Sequence, residues 1–196
     1  MTETEPSNLP QLRVGVFLDE PNIHVSLRNL KTAFDAEELL TRVRGLGRLA
    51  IAHAYISMRS EDQAETAAQR AGATGDSAAL VNRGLLSTSD WLARKYNSAG
   101  YSVRMVPPGS DRKDVDTSLS VEAARAVMED RVDLLVIGSG DADCIPLADL
   151  AHEMGKTVCI AAVPDSCSPA LRARADVFLA IPSPTSVVSP VSPRGR

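Results

Sequence analysis

Six short apolar runs recur along the chain, at Val14–Leu18, Leu49–Ile56, Ser102–Val106, Leu134–Ile137, Val158–Ala162 and Val177–Ile181. Each has the length of an ordinary strand, and the segments between them carry apolar residues at helical spacing. Strands alternating with helices predict an α/β fold with a mainly parallel sheet flanked by helices.

The helix signals agree. Asp35 and Glu38 form a capping-box-like start before Leu39, Leu40 and Val43, and Gly45 and Gly47 supply the stop. Ser89 is placed to cap a helix over Trp91–Ala99, with Gly100 just past its end. Pro146 suits the first turn of a helix carrying Leu147, Leu150, Ala151 and Met154 and closed by Gly155, and Ser168-Pro169 opens the last helix in the same way. In DRKDVDTSLSVEAARAV, Leu119, Ala123 and Val127 mark a buried helical face, which puts Asp116 in the first turn. The stretch from Ser60 to Ser87 is weakly patterned and predicts an inserted helix or a mobile segment.

With 196 residues and 44% apolar content, the chain is the size of one domain with a real core. Residues 1–11 and 183–196 are rich in Pro, Ser and Thr without periodicity, so they are expected to be disordered tails around a domain at 12–182. The three cysteines are odd in number and lack CxxC spacing, which indicates neither a disulfide framework nor a structural zinc site. No run reaches the roughly 18 apolar residues of a membrane span, and Met1 to Gln11 is unlike a secretory signal, so a cytoplasmic protein is expected. The net charge of −4 argues against nucleic-acid binding through a broad basic surface but leaves room for a local basic rim.

The chemistry concentrates at strand ends. Asp19 directly follows VGVFL, and Asp141 and Asp143 follow LLVIGSG; in open parallel sheets this is the edge where ligands bind. Asp116 lies just before the strand that carries Asp141, and Glu122 borders the buried stripe of its helix. Several carboxylates at close range are costly unless a cation neutralises them, and hard oxygen ligands select Mg²⁺ or Mn²⁺. Such a site suits phosphodiester hydrolysis.

Each acid also has a plain reading. Asp19 and Asn22 could be helix caps, and Asp116 with Lys113 a surface ion pair worth little. Glu20, Asp111 and Asp114 read as solvated acids, with Glu20 the first candidate for an exception because it adjoins Asp19. Cys144 reads as a buried thiol, and His24, His53 and His152 as packing or surface residues. The acids taken together are more informative than any one of them.

At VGVFLDEPN (14–22), KDVDTSLSVEA (113–123), LLVIGSGDADCIPL (134–147) and SPALRARADVFLAI (168–181) the sequence resembles the NYN family of PIN-like nucleases. The resemblance implies a Rossmann-like sheet and an acidic pocket holding Mg²⁺ or Mn²⁺ that cleaves RNA. It makes Asp19, Asp116, Asp141 and Asp143 the metal-site and catalytic acids, with Glu122 where the family usually has Asp. It places Asn22 to position the first acid or a water, Lys113 near the substrate phosphate, and Ser139 in support of the loop. This chain departs from the family at Glu20 and Asp114, where Gly is usual, and at Cys144, where an aromatic is usual.

The leading expectation is therefore a metal-dependent endoribonuclease with an RNA substrate. Arg112 and Lys113 beside the acids, and Arg94, Lys95 and Arg104 on neighbouring elements, would supply phosphate contacts. Aromatics are only 4%, so extensive base stacking is not expected. The alternative is a catalytically weak or inactive relative that binds RNA or a protein. A haloacid-dehalogenase-like phosphatase ranks third, because that chemistry wants a second Asp where Pro21 stands. The sequence is compatible with a homo-oligomer and does not specify one.

Overall fold

Strand β1 (Arg13–Asp19) pairs in parallel with β2 (Arg48–Ser57) on one side and β4 (Leu134–Gly138) on the other. The computed structural model describes residues 11–58, 76–107 and 114–182; the expected tails except Gln11, together with Arg112 and Lys113, lie outside them. β3 (Ser102–Val106) pairs with β2, β5 (Thr157–Ala162) with β4, and β6 (Val177–Ala180) with β5. The six-stranded sheet is all parallel, in the order β3-β2-β1-β4-β5-β6. All six expected strands are present.

Alternation along the strands separates two cores. On one face Phe17, Tyr55, Leu135, Ile137 and Ile160 pack against α4 (Asp114–Met128), α5 (Ile145–Glu153) and α6 (Pro169–Arg172). On the other, Val16, Leu18, Ala54, Val136 and Ala161 pack against α1 (Glu20–Leu30), α2 (Ala36–Arg44) and α3 (Asp76–Ala99). Every residue of β4 is buried, as expected for a strand covered on both faces. Burying one Leu or Ile side chain contributes about 1.5–3 kcal/mol, so this central run anchors the fold.

Local signals explain most helix boundaries. Asp35 caps α2 by accepting from the Glu37 and Glu38 amides at 3.1 and 3.0 Å. Glu38 does not close a capping box; its carboxylate stands 3.5 Å from Arg42 on the same helix. Gly100, at φ 101°, ends α3 in the left-handed region as expected, and Ser168 caps α6 through the Leu171 amide. Ser89 is not a cap. α3 begins at Asp76, so Ser89 lies inside it and donates instead to the Ser57 carbonyl at 3.4 Å. The expected insert is thus helical from Asp76 onward, and residues 59–75 lie outside the described part.

At the amino-terminal edge of the sheet, Arg13 fixes the start of β1 to the turn before β4. Its backbone amide, Nε and Nη2 all donate to the Asp133 carboxylate, at 2.7, 2.9 and 2.6 Å. These bonds hold the Asp133 carboxyl well below the ordinary carboxylate range. Farther along the same pair, Gly138 lies so close to β1 that a Cβ there would meet Leu18 Cδ1 and stand 3.1 Å from Leu18 Cα. Glycine permits that approach, and with it the alignment of the two strand ends.

Candidate functional site

The strand order reverses between β1 and β4: β2 and β3 lie to one side of β1, and β5 and β6 lie beyond β4. A crevice opens at such a switch point, outside the carboxyl ends of the strands. Asp19 ends β1 and the Ser139–Asp143 loop follows β4, so both flank this crevice. Asp19 and Phe17 share a strand face, the one toward α4, which brings Asp116 from the first turn of that helix.

Asp19 is 3% exposed and caps α1. Its Oδ1 accepts from the Asn22 amide at 3.0 Å, and its Oδ2 accepts from Ser139 Oγ at 3.2 Å. Burial pushes its carboxyl well above the ordinary range, and both the charge of Asp116 and a hydrogen bond shared with that side chain push the same way. The bonds from Asn22 and Ser139 oppose the rise. Two carboxyls that share a hydrogen bond need a proton between them.

Ser139 carries the connection onward. Fully buried, its Oγ accepts from the Asp141 amide at 3.3 Å, and Asp141 Oδ1 accepts from the Asp143 amide at 3.0 Å, opening a single 3₁₀ turn over Ala142–Cys144. Asn22 Oδ1 accepts from the Gly140 amide at 3.0 Å, so both loops of the crevice are tied to each other. Behind them, a Cβ on Gly140 would stand 3.1 Å from Cys167 Cα, and the Ser168 amide donates to the Gly140 carbonyl at 2.8 Å. The loop after β5 therefore walls the site.

Cys144 sits beneath the acids. Its thiol is pushed up to about 12, first by burial and then by the fields of Asp19, Asp116 and Asp141. All three carboxylates thus act on one buried sulfur, which stays a thiol and is no nucleophile. Asp143 is exposed at the mouth. Among the described residues, no three His, Cys, Asp or Glu side chains stand close enough to form a finished metal cage. The donor set still fits a hard dication, because a carboxyl pushed up by burial, and further by its neighbour's charge, belongs to a pair that a cation can discharge.

Glu122 corrects the expectation that it joins these acids. Its Oε2 accepts from Tyr55 Oη at 2.9 Å and Arg104 Nε at 3.2 Å, and lies 3.0 Å from His53 Nδ1. Burial opposes its ionisation, yet the Tyr55 and Arg104 bonds hold its carboxyl below the ordinary range. Arg104 is committed to Glu122 and contacts His53 Nε2 at 3.1 Å, so it is not poised for a phosphate. Burial and the Arg104 charge lower the affinity of His53 for a proton.

Glu20, read as a solvated acid, is not one; Asp114 is half-buried, and Asp111 lies outside the described residues. Glu20 is buried, and burial pushes its carboxyl up to about 7, with Lys95 opposing. It lies 3.7 Å from His24 and is within the electrostatic reach of Lys95 and Tyr96 of α3. A surface cleft of about 530 Å³ lies nearby, lined by Phe34, Asp35, Glu37, Lys95 and Ser98 among others, and none of the four candidate acids lines it.

The family model of the NYN domain matches residues 13–182. The chain belongs to the NYN domain family. That family is generally nuclease-like. A crystal structure of a protein of unknown function from Vibrio parahaemolyticus shares the fold of this NYN domain, with a TM-score of 0.65 and 21% identity over 90% of this chain and 96% of that one. No curated protein sequence was found to match the chain. No helix among the described residues is long and apolar enough to cross a membrane.

Proposed function

We propose that this NYN domain is a divalent-metal-dependent ribonuclease whose acidic pocket is formed by Asp19, Asp116 and Asp141, with Asp143 at its mouth. The observation that carries the reading is the buried Asp19, forced toward its protonated form beside Asp116 and bound through Ser139 to the Asp141 loop. Capping α1 needs a single carboxyl, and placing a second one beside it in a buried site is costly without a cation. Family membership makes nuclease chemistry the natural use of the pocket.

Asp19, Asp116 and Asp141 would hold Mg²⁺ or Mn²⁺, which supplies Lewis acidity and lowers the pKa of a coordinated water. Within the chain, Ser139 and the Asn22 amide fix the Asp19 oxygens, and the Asn22 carboxamide holds the Gly140 amide so that the loop keeps Asp141 in place. Asp143 is exposed and is the acid that first meets solvent and substrate. Lys113 and Arg112, adjoining α4 in sequence, remain candidates for the phosphate.

The test is hydrolysis of labelled single-stranded RNA in Mn²⁺ compared with EDTA. Asp141→Asn should fold as wild type and lose on the order of 10²-fold or more in rate, since metal assistance supplies several kcal/mol and each 1.36 kcal/mol is about tenfold. Equal cleavage by the variant would assign the activity elsewhere. A wild-type protein inert across varied RNAs would favour the binding-module alternative.

A further inference from the structure

Of the seven aromatic side chains, Phe17, Tyr55, Tyr96 and Tyr101 are buried and Phe34 and Phe178 half-buried. Trp91, the single tryptophan of the chain, is 55% exposed on α3. Four residues along, Lys95 Nζ lies 5.7 Å from the indole centroid and donates to the Phe34 carbonyl at 3.0 Å, which holds the ammonium beside the ring. Arg94, three residues along, is exposed on the same helix surface. An open indole face with two cations beside it has the composition of a single-strand platform, where a base stacks and the backbone meets positive charge.

Its position adds a second argument. Ser89 donates to the carbonyl of Ser57, the last residue of β2, so this part of α3 stands at the carboxyl edge of the sheet. Two residues back along β2, Tyr55 pairs with Asp19. Lys95 also acts on Glu20, the residue after Asp19. The indole is therefore on the edge that carries the acids, beyond the adjacent strand.

We infer that Trp91, with Lys95 and Arg94, forms a stacking platform that takes one unpaired base of an RNA strand leading toward the acidic pocket. This rests on the ribonuclease reading for its substrate class and assigns a residue outside the acids. With the other aromatics covered, stacking is confined to one base, and recognition there tolerates any base because each has a π face.

Binding is measured in EDTA with 12-nucleotide oligoadenylate and oligouridylate, conditions in which the pocket does no chemistry. Because Trp91 is the only tryptophan, its intrinsic fluorescence reports the platform directly. Saturable quenching is expected with both oligomers. By anisotropy of labelled RNA, Trp91→Ala should bind on the order of 10-fold more weakly, while Trp91→Phe retains most of the affinity. Lys95→Ala should flatten the salt dependence by about one counterion. Circular dichroism verifies that the variants fold. Binding without a fluorescence change, equal affinity of Trp91→Ala and wild type, or no RNA binding in EDTA would each overturn the platform. Cleavage in Mn²⁺ without quenching would overturn it alone; quenching without cleavage would support it and remove the ribonuclease reading.

Discussion

Replacing Glu20 with Gln should stabilise the protein, and only on the alkaline side. The residue is 6% exposed, and its carboxyl is pushed up to about 7 in the fold from the ordinary 4.5, because burial disfavours the charge more than Lys95 favours it. Between those values the folded protein holds a proton that the unfolded chain has released, so stability falls as pH rises from about 4.5 to 7. The displacement corresponds to about 3 kcal/mol when integrated across the window. Gln keeps the shape and carries no charge, so the variant should match wild type near pH 4 and exceed it by up to about 3 kcal/mol at pH 8. For a chain of this size 1 kcal/mol moves Tm by about 2–4 °C, which predicts a rise of up to about 6–12 °C at pH 8. Thermal melts of both proteins at matched ionic strength from pH 4 to 8 measure the difference directly. A stability gap that does not change with pH, or a variant weaker than wild type at pH 8, would refute the account of a desolvated Glu20.

Saturating Mn²⁺, at about a hundred times its Kd, should stabilise wild type by about 2.7 kcal/mol, seen as a higher Tm. Asp116→Asn should lose most of that gain while melting slightly higher than wild type in EDTA, because the charge that raises the Asp19 carboxyl is gone. Glu122→Gln should retain the Mn²⁺ gain, since its carboxylate serves Tyr55, Arg104 and His53; loss of the gain would return it to the metal set. Gly138→Ala should cost about 1–3 kcal/mol in denaturant melts, because the new methyl drives into Leu18; an unchanged midpoint would mean that the strands separate freely.

The strands and the acids at their ends were legible because they depend on local pattern: a strand such as Leu134–Gly138, buried on both faces, shows as an unbroken apolar run. The helix face of Leu119, Ala123 and Val127 was equally plain. What escaped depends on partners far along the chain. Glu122 is claimed by a tyrosine hydroxyl 67 residues away, and nothing around either residue announces the pairing. The one available signal was Tyr55 itself, a polar-tipped ring in a buried strand, which needs a partner for its hydroxyl. Glu20 looked solvated because an acid in the first turn of a helix ordinarily is, yet it is buried and within the field of Lys95, a residue 75 positions later. Ser89 misled for the opposite reason, having the right chemistry for a cap at a place where the helix was already under way.

The placement of β1 in the strand order bears on how the chain is made. β1 leaves the ribosome before the other strands of this sheet, and it can pair with β2 within about forty residues, but its other neighbour, β4, begins only at Leu134. At about 5–20 residues per second, the wait for that partner lasts about 6–23 s. Throughout that interval Val14–Leu18 presents an apolar strand with one open edge, the form most prone to join another chain. The same delay keeps Asp19 apart from Ser139, 120 residues later. A nascent chain arrested after β3 should therefore aggregate or recruit chaperones, and one extended past β6, with every inner strand paired on both sides, should not. Asp19 and the Asp141 loop can come together only when the open edge of β1 closes on β4, so the same pairing that covers this strand also brings the acids to one place.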